Sequence, residues 1–245
     1  NQLEIHYLRM VDEDLQDDVD AILQTKIDEE LFTNTTANKE QRPTIKLRIT
    51  KDEYHEKVTQ LLSHIHRGDI YEANFCQEFY AEDAEIDPLS TYTHLNSISK
   101  PPFATFMRLN DKYILSASPE RYIKKKGTKI TSQPIKGTAK RLEDPMEDQQ
   151  IAEALQKDEK ERAENVMIVD LVRNDLSKIA LPNSVEVEEL FGIYTFETVH
   201  QMISRIGCDI EPETRFTDII RATFPMGSMT GAPKISAMKL IEEHE

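Results

Sequence analysis

The sequence predicts an α+β fold, with layered antiparallel β-sheets and helices packed outside. Three observations carry this. Strand-like and helix-like segments come in runs rather than in strict alternation, which favours antiparallel sheets over a parallel doubly wound one. Two turn dipeptides, Asn110-Asp111 and Lys126-Gly127, join neighbouring β-rich runs as hairpins. No internal repeat is visible, which excludes solenoids and propellers.

The elements follow in order. Residues 14–31 have helical character, and 33–43 have loop composition. The expected division is therefore an acidic N-terminal segment and linker, 1–45, and a main domain, 46–245. Residues 51–66 place Tyr54, Val58, Leu61, Leu62 and Ile65 on one helical face. Gly68 follows where a helix C-terminus favours glycine. Strands are expected at 70–80, 103–109, 112–117, 121–125 and 129–133, all rich in β-branched and aromatic residues. A helix fills 88–97. Helices at 145–156 and 157–179 come next, then strands at 185–191 and 198–206. Helices at 214–223 and 233–243 close the chain, the last with Pro233 at a favoured first-turn position.

Composition narrows the function. Lys and Arg number 30 against 45 Asp and Glu, a net charge of −15, so no basic stripe is available to neutralise phosphates. Nucleic acid is excluded as a partner on that ground. An anionic substrate would need a metal or a local cluster of cations. No apolar run reaches the roughly 18 residues of a membrane span. No charged-then-apolar leader opens the chain, and a cytoplasmic protein is expected. Cys76 and Cys208 lack metal-ligand spacing and read as two reduced core thiols.

Several residues stand where chemistry is possible. Lys136 lies between Pro134, which ends regular pairing, and Gly137, which lets the backbone approach a ligand closely. Its amine is a nucleophile only when neutral. Glu120 follows a Ser-Pro turn at a strand end, where a carboxylate can face a cleft; on spacing alone, an exposed pair with Arg121 is the first reading. Glu161 and Glu164 are three apart on a predicted helix and share a face; beside the polar run 157–160 they read first as a solvated face, though their oxygens suit Mg²⁺. Asp170, Arg173 and Asp175 adjoin an apolar run and read as a buried structural ion network. His200, on a predicted strand, reads first as a satisfied core histidine. The run from Gly227 to Lys234 lacks the Walker A order, so no nucleotide P-loop is expected.

Together, Gly68-Asp69-Ile70-Tyr71, Ser118-Pro119-Glu120-Arg121, Pro134-Ile135-Lys136-Gly137-Thr138, Arg162-Ala163-Glu164-Asn165, the run Val169–Asp175 and Gly231-Ala232-Pro233-Lys234 resemble the chorismate-utilising enzymes. That resemblance implies the fold of anthranilate synthase component I, here with a catalytic domain incomplete at its C-terminus. It also implies Mg²⁺, chorismate as substrate and a glutamine amidotransferase partner supplying ammonia. A lysine at 136 is similar to the aminodeoxychorismate synthase component I branch, which leads to para-aminobenzoate and folate. In that branch the lysine is the nucleophile at C2 of chorismate, and ammonia then adds at C4. Carried over by motif, Glu120 resembles the general acid and His200 the active-site histidine. Gly137, Thr138 and Ser228 resemble substrate-binding positions, and Glu164 with Glu161 the metal ligands. The two other readings weighed are anthranilate synthase component I and an inactive fragment that only binds partner or chorismate. Glu72 departs from the pattern, since amination branches usually have glutamine there and water-using branches lysine. A neutral lysine and a protonated Glu120 would have to lie on different sides of the substrate ring, because a direct salt bridge would charge both.

Overall fold

The computed structural model describes residues 16–25 and 43–245. The chain divides into two units, one within residues 1–42 and the other spanning Pro43–Glu245. In the first, the described residues form helix α1 (Gln16–Gln24). The rest of the helix expected at 14–31, and the loop expected at 33–42, lie outside the described residues.

The second unit opens with β1 (Lys46–Leu47) and helix α2 (Lys51–Arg67). Thr50 and Glu53 start α2 with a reciprocal capping box, and Gly68 ends it at φ 83°, a left-handed conformation that costs glycine little. Then come β2 (Glu72–Ala73), β3 (Phe79–Tyr80) and α3 (Pro88–Ser99). The hairpin β4 (Phe103–Leu109) and β5 (Lys112–Ser118) turns at Asn110, which sits at φ 56°. β6 (Arg121–Lys126), β7 (Lys129–Gln133) and β8 (Ile135–Lys140) follow, then helices α4 (Pro145–Lys157) and α5 (Glu159–Ser177). The unit closes with β9 (Glu186–Thr195), β10 (Val199–Asp209), α6 (Phe216–Thr223), a 3₁₀ turn (Gly227–Met229), β11 (Gly231–Ala232) and α7 (Lys234–His244).

Strand β10 organises the main sheet. On one side it pairs with β8 through Val199–Ile203 and with β7 through Ile206–Asp209; on the other it pairs with β9. Pro134 has no N–H to give, so β7 and β8 are two ladders with a break between them. Its carbonyl instead accepts from Ser204 N at 3.2 Å. β6 extends the sheet beyond β7, and every strand pair described is antiparallel.

Helix α5 covers this sheet. Ile168, Val169, Val172 and Leu176 line one face of it and are buried against Ile130, Ile206, Cys208, Ile210 and Ile219. Each such side chain contributes roughly 1.5–3 kcal/mol by leaving water. Layered antiparallel sheet with helices outside is the fold found.

Three expectations change. The single strand expected at 70–80 is two short ones, because β2 pairs with β11 and β3 with β1. Of the ion network expected inside α5, only Asp175 is buried; Asp170 and Arg173 form an exposed pair. Of the two thiols, Cys208 is in the core, where burial pushes it up to about 11, but Cys76 is exposed on the stretch between β2 and β3.

Candidate active site

The break after Pro134 fixes where Lys136 stands. Its carbonyl accepts from Asn165 Nδ2 at 3.5 Å, and Asn165 in turn accepts from Ser204 Oγ at 2.5 Å. A buried amide on α5 thereby ties the strand that bears the lysine to the covering helix. The Lys136 amine lies 3.6 Å from Glu72 Oε2, both side chains being about one-fifth exposed. Gly137 sits at φ 100°, and a Cβ there would come within 3.3 Å of Glu161 and 3.2 Å of Met202. Glycine is thus required twice at this point, for its conformation and for the closeness of α5.

Glu120 hangs from the turn between β5 and β6. Ser228 Oγ donates to its Oε1 at 2.8 Å, bringing the loop before β11 onto the carboxyl. Burial holds Glu120 above the ordinary carboxyl range; the Ser228 hydroxyl, the Ile135 amide and the charge of Lys136 offset this only in part. A small cavity of about 20 Å³ is lined by Glu120, Ser228, Pro134, Tyr122, Asp175 and Thr223.

Glu161 and Glu164 lie together near the N-terminus of α5. The Lys160 ammonium stands between them, 3.5 Å from Glu161 Oε1 and 2.7 Å from Glu164 Oε1. The pair therefore already holds a cation. Two carboxylates one helical turn apart suit Mg²⁺, which commonly takes one or two protein carboxylates and completes its shell with water and substrate oxygens. Among the described residues no third His, Cys, Asp or Glu joins them.

His200 is buried. Its Nε2 meets Asp148 Oδ1 at 2.9 Å and its Nδ1 meets Thr195 Oγ1 at 3.0 Å. Arg141 and the Leu142 amide also bind Asp148, and Arg141 above all holds that carboxyl well below its usual range. Thr138 is exposed, two residues along β8 from Lys136. The structure thus brings Lys136 and Gly137 to Glu72 and Glu161, brings Glu120 to Ser228, and keeps His200 buried and bonded to Asp148 and Thr195.

Sequence reasoning did not assign Glu72, Asn165 or Lys160. Asn165 could have been found: it follows Glu161 by one helical turn and opens the buried stripe of α5. The partner of Glu72 lies on a distant strand and leaves no local sign.

Known proteins give the family. Residues 3–245 match the family described as chorismate binding enzyme. Aminodeoxychorismate synthase component 1 of Salmonella typhimurium is 46% identical over 197 residues, covering 80% of this chain and 43% of that protein. The Escherichia coli protein of the same name is 43% identical over the same shares. Anthranilate synthase component I from Streptococcus pneumoniae superposes with a TM-score of 0.76 at 31% identity, over 94% of this chain and 51% of that one. The chain therefore spans about half the length of these relatives. It belongs to the chorismate binding enzyme family.

Proposed function

We propose that the protein containing this chain converts chorismate and ammonia to 4-amino-4-deoxychorismate. The observation that carries this reading is Lys136 itself, part-buried beside carboxylates at a strand break, in a chain 46% identical to a protein named for that activity. Component 1 in that name implies a second subunit, and we assign it the supply of ammonia.

The neutral Lys136 amine forms a bond to C2 of the ring. The ring electrons shift, the C4–O bond breaks, and Glu120 gives its proton so that water leaves. Burial of Glu120 favours the protonated state this step needs. Ammonia then bonds at C4, the C2–N bond breaks, and Lys136 departs as a neutral amine. The new C4 ammonium returns a proton to Glu120, so the acid is restored and the balance is chorismate plus ammonia giving product plus water. Gly137, Thr138 and Ser228 line the approach, and His200 braces β8 from behind through Asp148. Glu161 and Glu164 would hold Mg²⁺, which when bound offsets the substrate's two carboxylates and eases loss of the hydroxyl.

Mass spectrometry of the product made from chorismate, Mg²⁺ and ammonium tests the reading. 4-Amino-4-deoxychorismate is expected, and anthranilate would instead mark the other branch. Lys136→Ala should lower turnover by at least about a hundredfold and abolish a trapped covalent adduct. An adduct that survives the substitution refutes the nucleophile.

A further inference from the structure

We infer that Glu72 is a positioning residue: its carboxylate holds the Lys136 amine to one side and keeps it from closing an ion pair with Glu120. The inference rests on the roles given above to Lys136 and Glu120.

Glu72 is set by a frame it shares with Glu120. In the β2–β11 ladder, Glu72 lies opposite Ala232, and Tyr71 N donates to Ala232 O at 2.7 Å. Asn74 N donates to Thr230 O at 2.7 Å, and Asn74 Nδ2 donates to Ser228 O at 2.8 Å. Ser228 Oγ then holds Glu120. The frame is tight, since a Cβ at Gly231 would fall 2.2 Å from the Glu72 carbonyl oxygen. The two carboxylates are therefore spaced by a frame of backbone bonds closed by the side chains of Asn74 and Ser228.

Glu72 has little else to do with its charge. Oε2 faces Lys136, while Oε1 is buried and has no hydrogen-bond partner among the described residues. The other carboxylate near this strand, Glu161, faces Gly137 and is engaged by Lys160. Glu120 is contacted by the Ser228 hydroxyl, the Ile135 amide and the field of Lys136. Where the ammonium stands thus decides whether burial or charge governs the acid. With the negative charge at 72 removed, the ammonium is left with the carboxyl that already feels its charge, Glu120. An ion pair there ionises the group that must give a proton.

The test is Glu72→Gln in the full chain, with folding checked by circular dichroism. Carboxyl ¹³C signals of labelled glutamate are titrated, and Glu120 is assigned by its loss in Glu120→Gln. The Glu120 midpoint should fall by about one pH unit in Glu72→Gln, as expected for a carboxyl gaining a cation. It should return to the wild-type value when Lys136→Met is added, because the ammonium is then gone. Glu72→Asp keeps the charge and should hold the midpoint to within about a third of a unit; it serves as the test if Glu72→Gln does not fold. Turnover in Glu72→Gln should drop about tenfold at neutral pH with KM changed less than about threefold, the basic limb moving with the carboxyl signal. An unmoved or raised midpoint in Glu72→Gln, or a full-unit shift in Glu72→Asp, overturns the inference. The carboxyl titration needs no turnover. If Lys136→Met keeps making product while the midpoints move as stated, the nucleophile reading fails and the Glu72 assignment stands.

Discussion

The two ends of helix α5 carry acidic residues in opposite circumstances. Near its C-terminus Asp175 is buried, and two ammonium groups close on it, Lys178 at 2.7 Å and Lys234 at 2.6 Å. Near its N-terminus Glu161 and Glu164 are part-exposed and share the single, largely exposed Lys160. One end has two cations for one carboxylate, and the other has one cation for two carboxylates. The first is a closed structural joint between α5 and α7. The second keeps an unmet demand for positive charge, at the place where Gly137 lets the lysine strand come close. Within a single helix, the count of cations per carboxylate separates an acid that holds the fold from acids left available to a ligand.

The largest effect should fall on the closed end. Asp175→Asn leaves Lys178 and Lys234 without their shared anion, and breaking a buried pair in this way costs about 3–5 kcal/mol. Urea unfolding measures it, and a loss under about 1 kcal/mol would erase the contrast between the two ends. The open end should respond to metal instead. At saturating Mg²⁺, about a hundred times its dissociation constant, the intact chain gains about 2.7 kcal/mol, seen as a higher thermal midpoint. Glu161→Gln with Glu164→Gln should abolish that gain while leaving metal-free stability nearly unchanged. A metal effect that persists in this variant would place the cation elsewhere.

A third carboxylate sharpens the rule. Asp148 is engaged by Arg141, the Leu142 amide and His200, so it belongs with the closed type. Its folded-state value is lowered, chiefly by Arg141, so its stabilisation is complete above the unfolded value near 3.9 and is lost as pH falls below it. In Arg141→Met the folded value lies closer to the unfolded one, so this contribution shrinks, and the midpoint of acid unfolding should rise by about half a pH unit. The smallest change is expected for Lys160→Ala, whose urea midpoint should stay at the wild-type value, because its ion pairs are exposed.

Local pattern made much of this fold legible. The apolar spacing of α2, the glycine after it and the Asn110 turn are all set by residues adjacent in sequence. β10 illustrates what local pattern leaves out. Its three partners all precede it in the chain, two of them by more than fifty residues and one as its hairpin neighbour, and nothing in residues 199–209 says which will lie where. The same holds at the site. Lys136, Gly137 and Glu120 are marked by the proline, glycine and Ser-Pro turns around them. The cation on Asp175 comes from Lys234, 59 positions away, and the anion beside Lys136 comes from a two-residue strand that periodicity cannot detect. The reading of 70–80 as one strand failed for that reason, since two different partners divide the segment.

The short ladder that carries Glu72 also bears on the order in which the molecule assembles. Asn74 and Ser228 meet across 154 positions of chain, whereas the hairpins and helices of the core close over far shorter loops. Long closures lose more entropy before any contact repays it, so they form late. A chain part-way to its native state would already possess a hydrophobic interior and an exposed lysine, and would still lack the acid beside it. Catalytic competence would then be the last property acquired during folding and the first surrendered on unfolding.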